Sequence, residues 1–130
     1  MFIFIMHTTI KVKRISEKAH MPMNDPVFQG LIFLSCETHN IAPNAVDCIF
    51  TGIHITIPKG YYGVVEPFGT TRDVKVNIST RLYRPGYSGS IHFNLCNLDN
   101  NEFCHIRKGE EICILFLRKV EPFELEVEQN

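Results

Sequence analysis

The chain has 130 residues, of which 13 are Lys or Arg and 14 are Asp or Glu, so its formal net charge is −1. A chain of this length is expected to form a single domain, residues 1–130, that buries a core without help from disulfides or metal ions. The nearly balanced charge argues against nucleic acid or an anionic membrane surface as a partner, because both attract strongly basic proteins.

The cysteines and histidines show no spacing that indicates a disulfide framework or a metal site. The five cysteines are an odd number and include no CxxC pair, which favours free thiols in a reducing, intracellular compartment. The six histidines form no HExxH-like motif, so no zinc site is predicted.

In chain order, the first elements are an apolar and a basic run. The N-terminal MFIFIM is too short to span a membrane and is predicted to form a first strand. The basic run Lys11–Arg14 is interpreted as the solvated face of a strand. Apolar residues then alternate with polar ones in five runs, which predicts an antiparallel all-β domain of half-buried strands. The alternating positions are Ile10, Val12 and Ile15; Ile53, Ile55 and Ile57; Val74, Val76 and Ile78; Ile91, Phe93 and Leu95; and Phe123, Leu125 and Val127.

One predicted strand, ICILFL at residues 112–117, is continuously apolar instead of alternating. A strand of this kind is expected to be buried on both faces. In a small all-β protein, one of the two faces can be covered by another subunit, so this run is an indication of an oligomer.

Five segments stand in order along the chain: IKVKRISEKAHMP, QGLIFLS, TGIHITIPKGYYGVVEP, YSGSIHFNLCNL and IRKGEEICILFL. Together they resemble the motifs of the trimeric dUTPases over nearly the whole chain. The third segment is the most specific match, since that family carries Ile-Pro-x-Gly-x-Tyr-Gly just before its second motif. The resemblance implies a jelly-roll-like (β-clip) domain that assembles as a homotrimer. It also implies three sites at subunit interfaces, which in the family bind dUTP with Mg²⁺ and release dUMP and pyrophosphate.

The positions at which the resemblance implies catalytic groups hold residues of other kinds. The water-activating Asp of the third motif corresponds to Arg84, whose guanidinium cannot accept a proton. The Asp of the first motif corresponds to Ile32, and the Gln of the fourth motif to Ile114. The Arg and Ser of the second motif correspond to Phe68 and Gly69. We therefore predict no catalytic residue at these positions.

The hairpin around Arg84 retains the frame of a nucleoside pocket. Tyr87 matches the aromatic residue that packs under deoxyribose in the family, but the favoured interpretation is a packing residue of the hairpin. Gly89 matches a turn glycine. The vestigial pocket predicted from this resemblance consists of Arg81, Leu82, Tyr83, Tyr87 and Gly89.

Three functions stay open, and the sequence favours the first. In the first, the chain is a non-catalytic dUTPase-like protein without a cofactor, similar to the dUTPase-like proteins of adenoviruses. It would form a homotrimer and bind a host protein in the cytoplasm or nucleus of a host cell. The second is a dUTP diphosphatase with displaced catalytic groups and Mg²⁺. The third is a protein that binds nucleotides without hydrolysing them. The second would rely on Glu66, Asp73, Glu110 or Glu111, and the third on Arg72, Arg81 and Arg84.

Overall fold

The computed structural model describes residues 8–72 and 75–130. These residues form strands, turns and a single 3₁₀ turn at Gly69–Thr71, which confirms the all-β prediction. No helix in the described ranges is long and apolar enough to cross a membrane. The strands are β1 (Lys11–Arg14), β2 (Met23–Asp25), β3 (Gly30–Leu34), β4 (His39–Ile41), β5 (Val46–Thr56), β6 (Tyr61–Pro67), β7 (Val76–Ile78), β8 (Leu82–Tyr83), β9 (Ser88–Asn97), β10 (Cys104–Ile106) and β11 (Glu111–Lys119).

The strands form three antiparallel sheets. The four-stranded sheet has the order β1-β5-β9-β7, and the five-stranded sheet has the order β2-β3-β11-β6-β8. Strands β10 and β4 form a separate two-stranded sheet. Because neighbours in each sheet come from distant parts of the chain, segments that are far apart in sequence are brought onto one face.

The alternating runs supply the core. Ile91, Phe93 and Leu95 on β9 are at most 1 % exposed, while the residues between them face outward. The run Ile53, Ile55 and Ile57 is buried to the same degree on and just after β5. These runs were predicted as half-buried strands, and the burial pattern confirms them.

Strand β11 is the apolar run ICILFL with its flanking residues. Cys113 and Leu115 belong to the core cluster, while Ile114 and Phe116 alternate with them and point to the other face of the sheet. Ile114 is 2 % exposed, whereas Phe116 is half-buried in a single chain. The prediction of burial on both faces is confirmed for residues 112–115.

The predicted C-terminal strand and the predicted N-terminal strand are not confirmed. The run Phe123, Leu125 and Val127 was predicted to be a half-buried strand. This is wrong for the single chain, in which these side chains are 78–87 % exposed and residues 120–130 form no strand. The last backbone hydrogen bond runs from the Val120 N–H to the oxygen of Gly60, the residue just before β6. Because β11 and β6 are antiparallel, the chain after Val120 extends beyond the first residue of β6 and has no partner strand in that sheet. The predicted N-terminal strand, together with Asp73 and Val74, lies outside the described residues.

Candidate functional site

A tight turn at Arg84–Tyr87 joins β8 to β9. These two strands belong to different sheets and do not pair with each other, so the predicted hairpin is a connection between the two sheets, and the name hairpin is kept for this connection. The backbone N–H of Tyr87 donates to the carbonyl oxygen of Arg84 at 3.1 Å. Pro85 and Gly86 hold the central positions, and Gly86 has a φ of 79°, which a type II turn requires. The sequence Arg-Pro-Gly-Tyr thus fixes the turn and places the exposed Arg84 side chain at its first position.

Two tyrosines pack against each other behind the turn. The ring centroids of Tyr83 and Tyr87 are 4.8 Å apart. Tyr83 is 4 % exposed, and this burial, with Tyr87 beside it, raises the pKa of its phenol. The Tyr87 hydroxyl donates to the Ser90 carbonyl oxygen at 2.8 Å, and a Cβ on Gly89 would lie 2.7 Å from that hydroxyl. Gly89 is therefore needed for the Tyr87 ring to fold back onto the hairpin.

The hairpin borders a depression of about 280 Å³. It brings together Leu82, Tyr83 and Tyr87 of the predicted nucleoside pocket, with Arg84 on its rim. Arg81 and Gly89 were also predicted for the pocket, but neither lines the depression. The Arg81 guanidinium instead pairs with Glu66 at 3.2 Å, and Gly89 lies beneath the Tyr87 hydroxyl. The lining residues are Thr80, Leu82, Tyr83, Arg84, Tyr87 and His92.

His92 is the residue of this depression that sequence reasoning missed. Its Nδ1 lies 2.7 Å from the Ser90 hydroxyl, and its ring stacks on Phe50 with centroids 5.5 Å apart. None of the lining residues is a carboxylate, and the His92 imidazole carries the only side-chain nitrogen lone pair among them. The signal in the sequence was the alternation Ile91-His92-Phe93, which places His92 on the face of the strand opposite to its two apolar neighbours.

The first-motif and fourth-motif positions are neighbours in the five-stranded sheet. Ile32 on β3 lies opposite Ile114 on β11, and Ile114 lies opposite Glu66 on β6. Ile32 is 7 % exposed and Ile114 is 2 % exposed. At Gly30 a Cβ would lie 2.6 Å from the Ile114 side chain, so that side chain fills the space above the strand. The structure brings these two positions together as a buried apolar contact.

Next to this contact lies the aromatic groove, a depression of about 180 Å³ in which carbon side chains predominate. Phe68, which the family resemblance predicts to stand at the position of the second-motif Arg, forms part of its wall. Phe28 is 53 % exposed at its edge, and Arg72 and Glu66 are the charged groups of the lining. The aromatic groove is defined by Phe28, Glu66, Pro67, Phe68, Arg72, Ile114 and Phe116.

The segment that carries Phe68 is fixed against β11. The Thr71 side chain is buried, and its hydroxyl donates to the Ile112 carbonyl oxygen at 2.6 Å. Gly69 has a φ of 62°, and a Cβ there would lie 2.5 Å from the Glu111 carbonyl oxygen. Only glycine permits this close approach, so Gly69 and the Thr71 hydrogen bond together hold the segment against β11.

Comparison with known proteins identifies the family. No protein-family model matches the chain. A deoxyuridine 5'-triphosphate nucleotidohydrolase (dUTPase) of Mycobacterium sp. strain JLS is 32 % identical over 124 residues, which is 92 % of this chain and 80 % of the relative. The chain belongs to the dUTPase family. A Mycobacterium tuberculosis relative of the same name is 27 % identical with the same coverage.

Solved structures share the fold of this dUTPase-family chain. The dUTPase of Staphylococcus bacteriophage 80alpha, in a form solved with dUpNHpp, superposes with a TM-score of 0.78 at 24 % identity, covering 95 % of this chain and 98 % of the phage chain. A dUTPase from phage phi11 of S. aureus gives a TM-score of 0.77 at 21 % identity, covering 95 % and 98 %. The predicted dUTPase fold is thereby confirmed.

Two of the acidic residues near the positions assigned to the family's motifs, Glu66 and Glu110, have partners in this dUTPase-family chain. Glu66 pairs with Arg81. Glu110 accepts hydrogen bonds from the Thr70 hydroxyl and from the Arg107 N–H, and these lower the pKa of its carboxyl. Within residues 8–72 and 75–130, no three His, Cys, Asp or Glu side chains are grouped so that they could hold a metal ion.

Proposed function

We propose that this chain is a dUTPase-family protein that does not hydrolyse dUTP and acts through contacts with other proteins. The observation that carries the proposal is the apolar contact of Ile32 with Ile114, next to the aromatic groove, at the positions where the family resemblance implies groups for phosphate and metal. A triphosphate with Mg²⁺ needs charged and polar groups at such a place, because carbon side chains cannot replace its hydration.

The hairpin supports the same proposal. Arg84 stands at the position of the water-activating Asp, and its guanidinium has no lone pair for a proton. General-base catalysis contributes a factor of about 10² to 10⁴ to a reaction rate, which corresponds to about 3 to 5 kcal/mol of barrier. A guanidinium there also repels Mg²⁺, so the substitution removes the base and disfavours the metal at once.

The surface that replaces the charged site is suited to protein contact. Met23 lies opposite Ile32 in the sheet and is 43 % exposed, and Phe28 and Leu82 are 53 % and 68 % exposed. Together with the aromatic groove they form an apolar face of the five-stranded sheet. Contiguous exposed apolar residues of this kind are typical of protein–protein interfaces. We propose that a host-cell protein occupies part of this face.

We also propose that three copies of the chain associate as the homotrimer that the family resemblance implies. Its support is the C-terminal segment, in which Phe123, Leu125 and Val127 are 87 %, 83 % and 78 % exposed. Three large apolar side chains alternate here with acidic ones in a strand pattern, yet this segment pairs with no strand formed by residues 8–72 and 75–119. A second copy can supply that partner and bury them.

The second candidate function is dUTP hydrolysis. The relatives favour it, since the mycobacterial protein that is 32 % identical is named a nucleotidohydrolase. In this function, Glu66 on the rim of the aromatic groove or Glu111 on β11 would replace the missing carboxylates and hold Mg²⁺ with the substrate. Glu66 would first have to leave Arg81.

Pyrophosphate release from dUTP with Mg²⁺ separates the two functions. The full chain and the M. tuberculosis relative are assayed side by side, and we expect no turnover by the chain above a heat-inactivated control. Turnover within a hundredfold of the relative would establish the hydrolase instead. Saturable binding of dUTP or dUMP without turnover would show that the depression beside Arg84 is a nucleotide sensor and would contradict the protein-contact proposal as stated.

The protein contact is tested with a matched pair of variants. Phe28→Asp places a charge on the edge of the aromatic groove. Phe103→Asp is the control, because Phe103 is equally exposed but does not line the groove. A protein enriched from host-cell extract supports the proposal only if, once purified, it binds the wild type and the Phe103→Asp variant but not the Phe28→Asp variant. Equal binding by both variants would remove the groove from the proposal.

A further inference from the structure

The outer face of the four-stranded sheet carries cationic and hydroxyl side chains that belong neither to the hairpin depression nor to the aromatic groove. We propose that they bind a small molecule through a phosphate monoester group. The lysine–hydroxyl cluster, as we name this site, consists of Lys11, Lys13, His54, Thr56, Ser88 and Ser90.

The register of β1, β5 and β9 builds the cluster as two parallel rows. Residues that lie opposite each other in an antiparallel pair point to the same face of the sheet, and so do residues two positions apart on one strand. Each row therefore places one lysine beside two polar side chains on the solvent-facing side. The first row is Lys11, Thr56 and Ser88, and the second row is Lys13, His54 and Ser90.

Hydrogen bonds between side chains show that the rows form one connected surface. The Thr56 and Ser88 hydroxyl oxygens are 3.2 Å apart. The Ser88 oxygen is 3.4 Å from His54 Nε2, which links the first row to the second. All residues of the cluster except Ser90 line an open depression of about 340 Å³, to which Val12 also contributes.

The depression has positive charge and nothing in its lining to neutralise it. No carboxylate lines it, and neither Lys11 nor Lys13 forms an ion pair with any residue of the ranges 8–72 and 75–130. This differs from the two ion pairs that the described residues do form, at His39–Asp47 and Arg81–Glu66. Two lysines on one face of a strand, about 7 Å apart, repel each other, and an anion bound between them removes that repulsion.

The donor set fits a phosphate group better than a carboxylate. Each lysine ammonium has three N–H donors, and each hydroxyl can donate one more. A phosphate monoester offers three acceptor oxygens that point in different directions and carries up to two negative charges near neutral pH. A carboxylate has two oxygens in one plane and a single charge, so it can satisfy fewer of the donors in the two rows. Because the depression is open to solvent, the organic part of the ligand can extend away from the sheet.

Titration of the isotopically labelled full chain, followed by amide NMR shifts, tests the site. The probes are inorganic phosphate and phenyl phosphate, with the ionic strength held constant by chloride because salt screens surface charges. We expect saturable shifts on β1, β5 and β9 with both probes. The variant Lys11→Gln with Lys13→Gln should bind at least about tenfold more weakly, since it loses two charge-assisted contacts.

Matched variants make the result decisive. Lys59→Gln with Lys119→Gln removes two other exposed lysines, and Arg81→Ala with Arg84→Ala removes the hairpin cations; both should retain phosphate binding. Equal loss in the Lys59 and Lys119 variant, or the same saturation with acetate, would overturn the site as a phosphate site. Binding of inorganic phosphate alone would overturn the monoester. A fall in molar mass on removing Lys11 and Lys13 would show that these lysines hold another copy of the chain instead.

Discussion

Replacing Gly69 by alanine tests whether the segment that carries Phe68 is fixed against β11. Gly69 has a left-handed backbone, with a φ of 62°, and a Cβ there would lie 2.5 Å from the Glu111 carbonyl oxygen. Gly60 provides the matched control, because its φ is 85° but a Cβ there meets no atom within 4 Å. The two substitutions therefore share the backbone strain and differ in the steric contact.

The strain alone is modest. A left-handed conformation costs a residue with a Cβ about 1 to 2 kcal/mol, and alanine recovers about 0.4 to 1 kcal/mol by restricting the unfolded chain. We therefore expect Gly60→Ala to lower the free energy of unfolding by about 1 kcal/mol. At Gly69 the segment must also move off β11, which strains the buried bond from the Thr71 hydroxyl to the Ile112 oxygen. Loss of such a bond costs about 1 to 3 kcal/mol.

Gly69→Ala should thus be less stable than Gly60→Ala by about 2 kcal/mol, or about 8 °C in Tm for a domain of this size. Thermal unfolding by circular dichroism measures both variants, at one protein concentration because association also stabilises the fold. Equal Tm values would refute the reasoning, since they would mean that the segment moves freely and that its contact with β11 has no energetic consequence.

Three further predictions concern the C-terminal segment, the sheet face and the buried ionisable groups. Deleting residues 121–130 should lower the molar mass in solution measured by light scattering, and an unchanged oligomer would remove this segment from the interface. Ile32→Asp should destabilise the fold more than Ile32→Ala in urea unfolding, because it buries a carboxylate against apolar neighbours, and equal loss would show that water reaches the site. Burial raises the pKa of Cys113 above its ordinary 9.0 and that of Tyr83 above 10.0. The unfolded chain therefore binds fewer protons than the folded chain above about pH 9, so the free energy of unfolding should fall between pH 8 and pH 11. Urea unfolding across that range, with Cys113→Ala showing a shallower fall, checks the sign.

Local sequence patterns were sufficient for the strands whose two faces differ. Period-two alternation identified β9, because Ile91 and Phe93 must face the core while His92 must face water. The turn at Arg84 was equally local, since Pro85 and Gly86 favour one turn type. Short strands with few apolar residues, such as β4 and β10, gave no such signal and were missed.

The arrangement of the candidate sites depended on strand register, which local patterns do not contain. The contact between Ile32 and Ile114 follows from the pairing of β3 with β11, and no single run of the sequence encodes it. The lysine–hydroxyl cluster also depends on strand register. Lys11 and Ser88 lie in one row because both lie opposite Thr56 of β5, on its two sides. The basic run at Lys11–Arg14 was therefore interpreted as a solvated strand face, without the hydroxyl groups that lie beside it.

The apolar contact explains why a charged site at this face would be lost as a unit. A carboxylate at position 32 is stable only if its neighbour across the strand donates hydrogen bonds or helps to hold a cation, since an isolated buried charge is strongly unfavourable. Once the neighbour at position 114 is apolar, the carboxylate becomes a cost to folding and its replacement by an apolar residue becomes favourable. Phe68, held in place by Gly69 and Thr71, extends the same apolar surface. Arg84 lies outside this contact, in the turn between β8 and β9, so its presence needs a second cause. The proposed loss of Mg²⁺ binding would supply one, because a cation in this turn would then repel no bound metal ion.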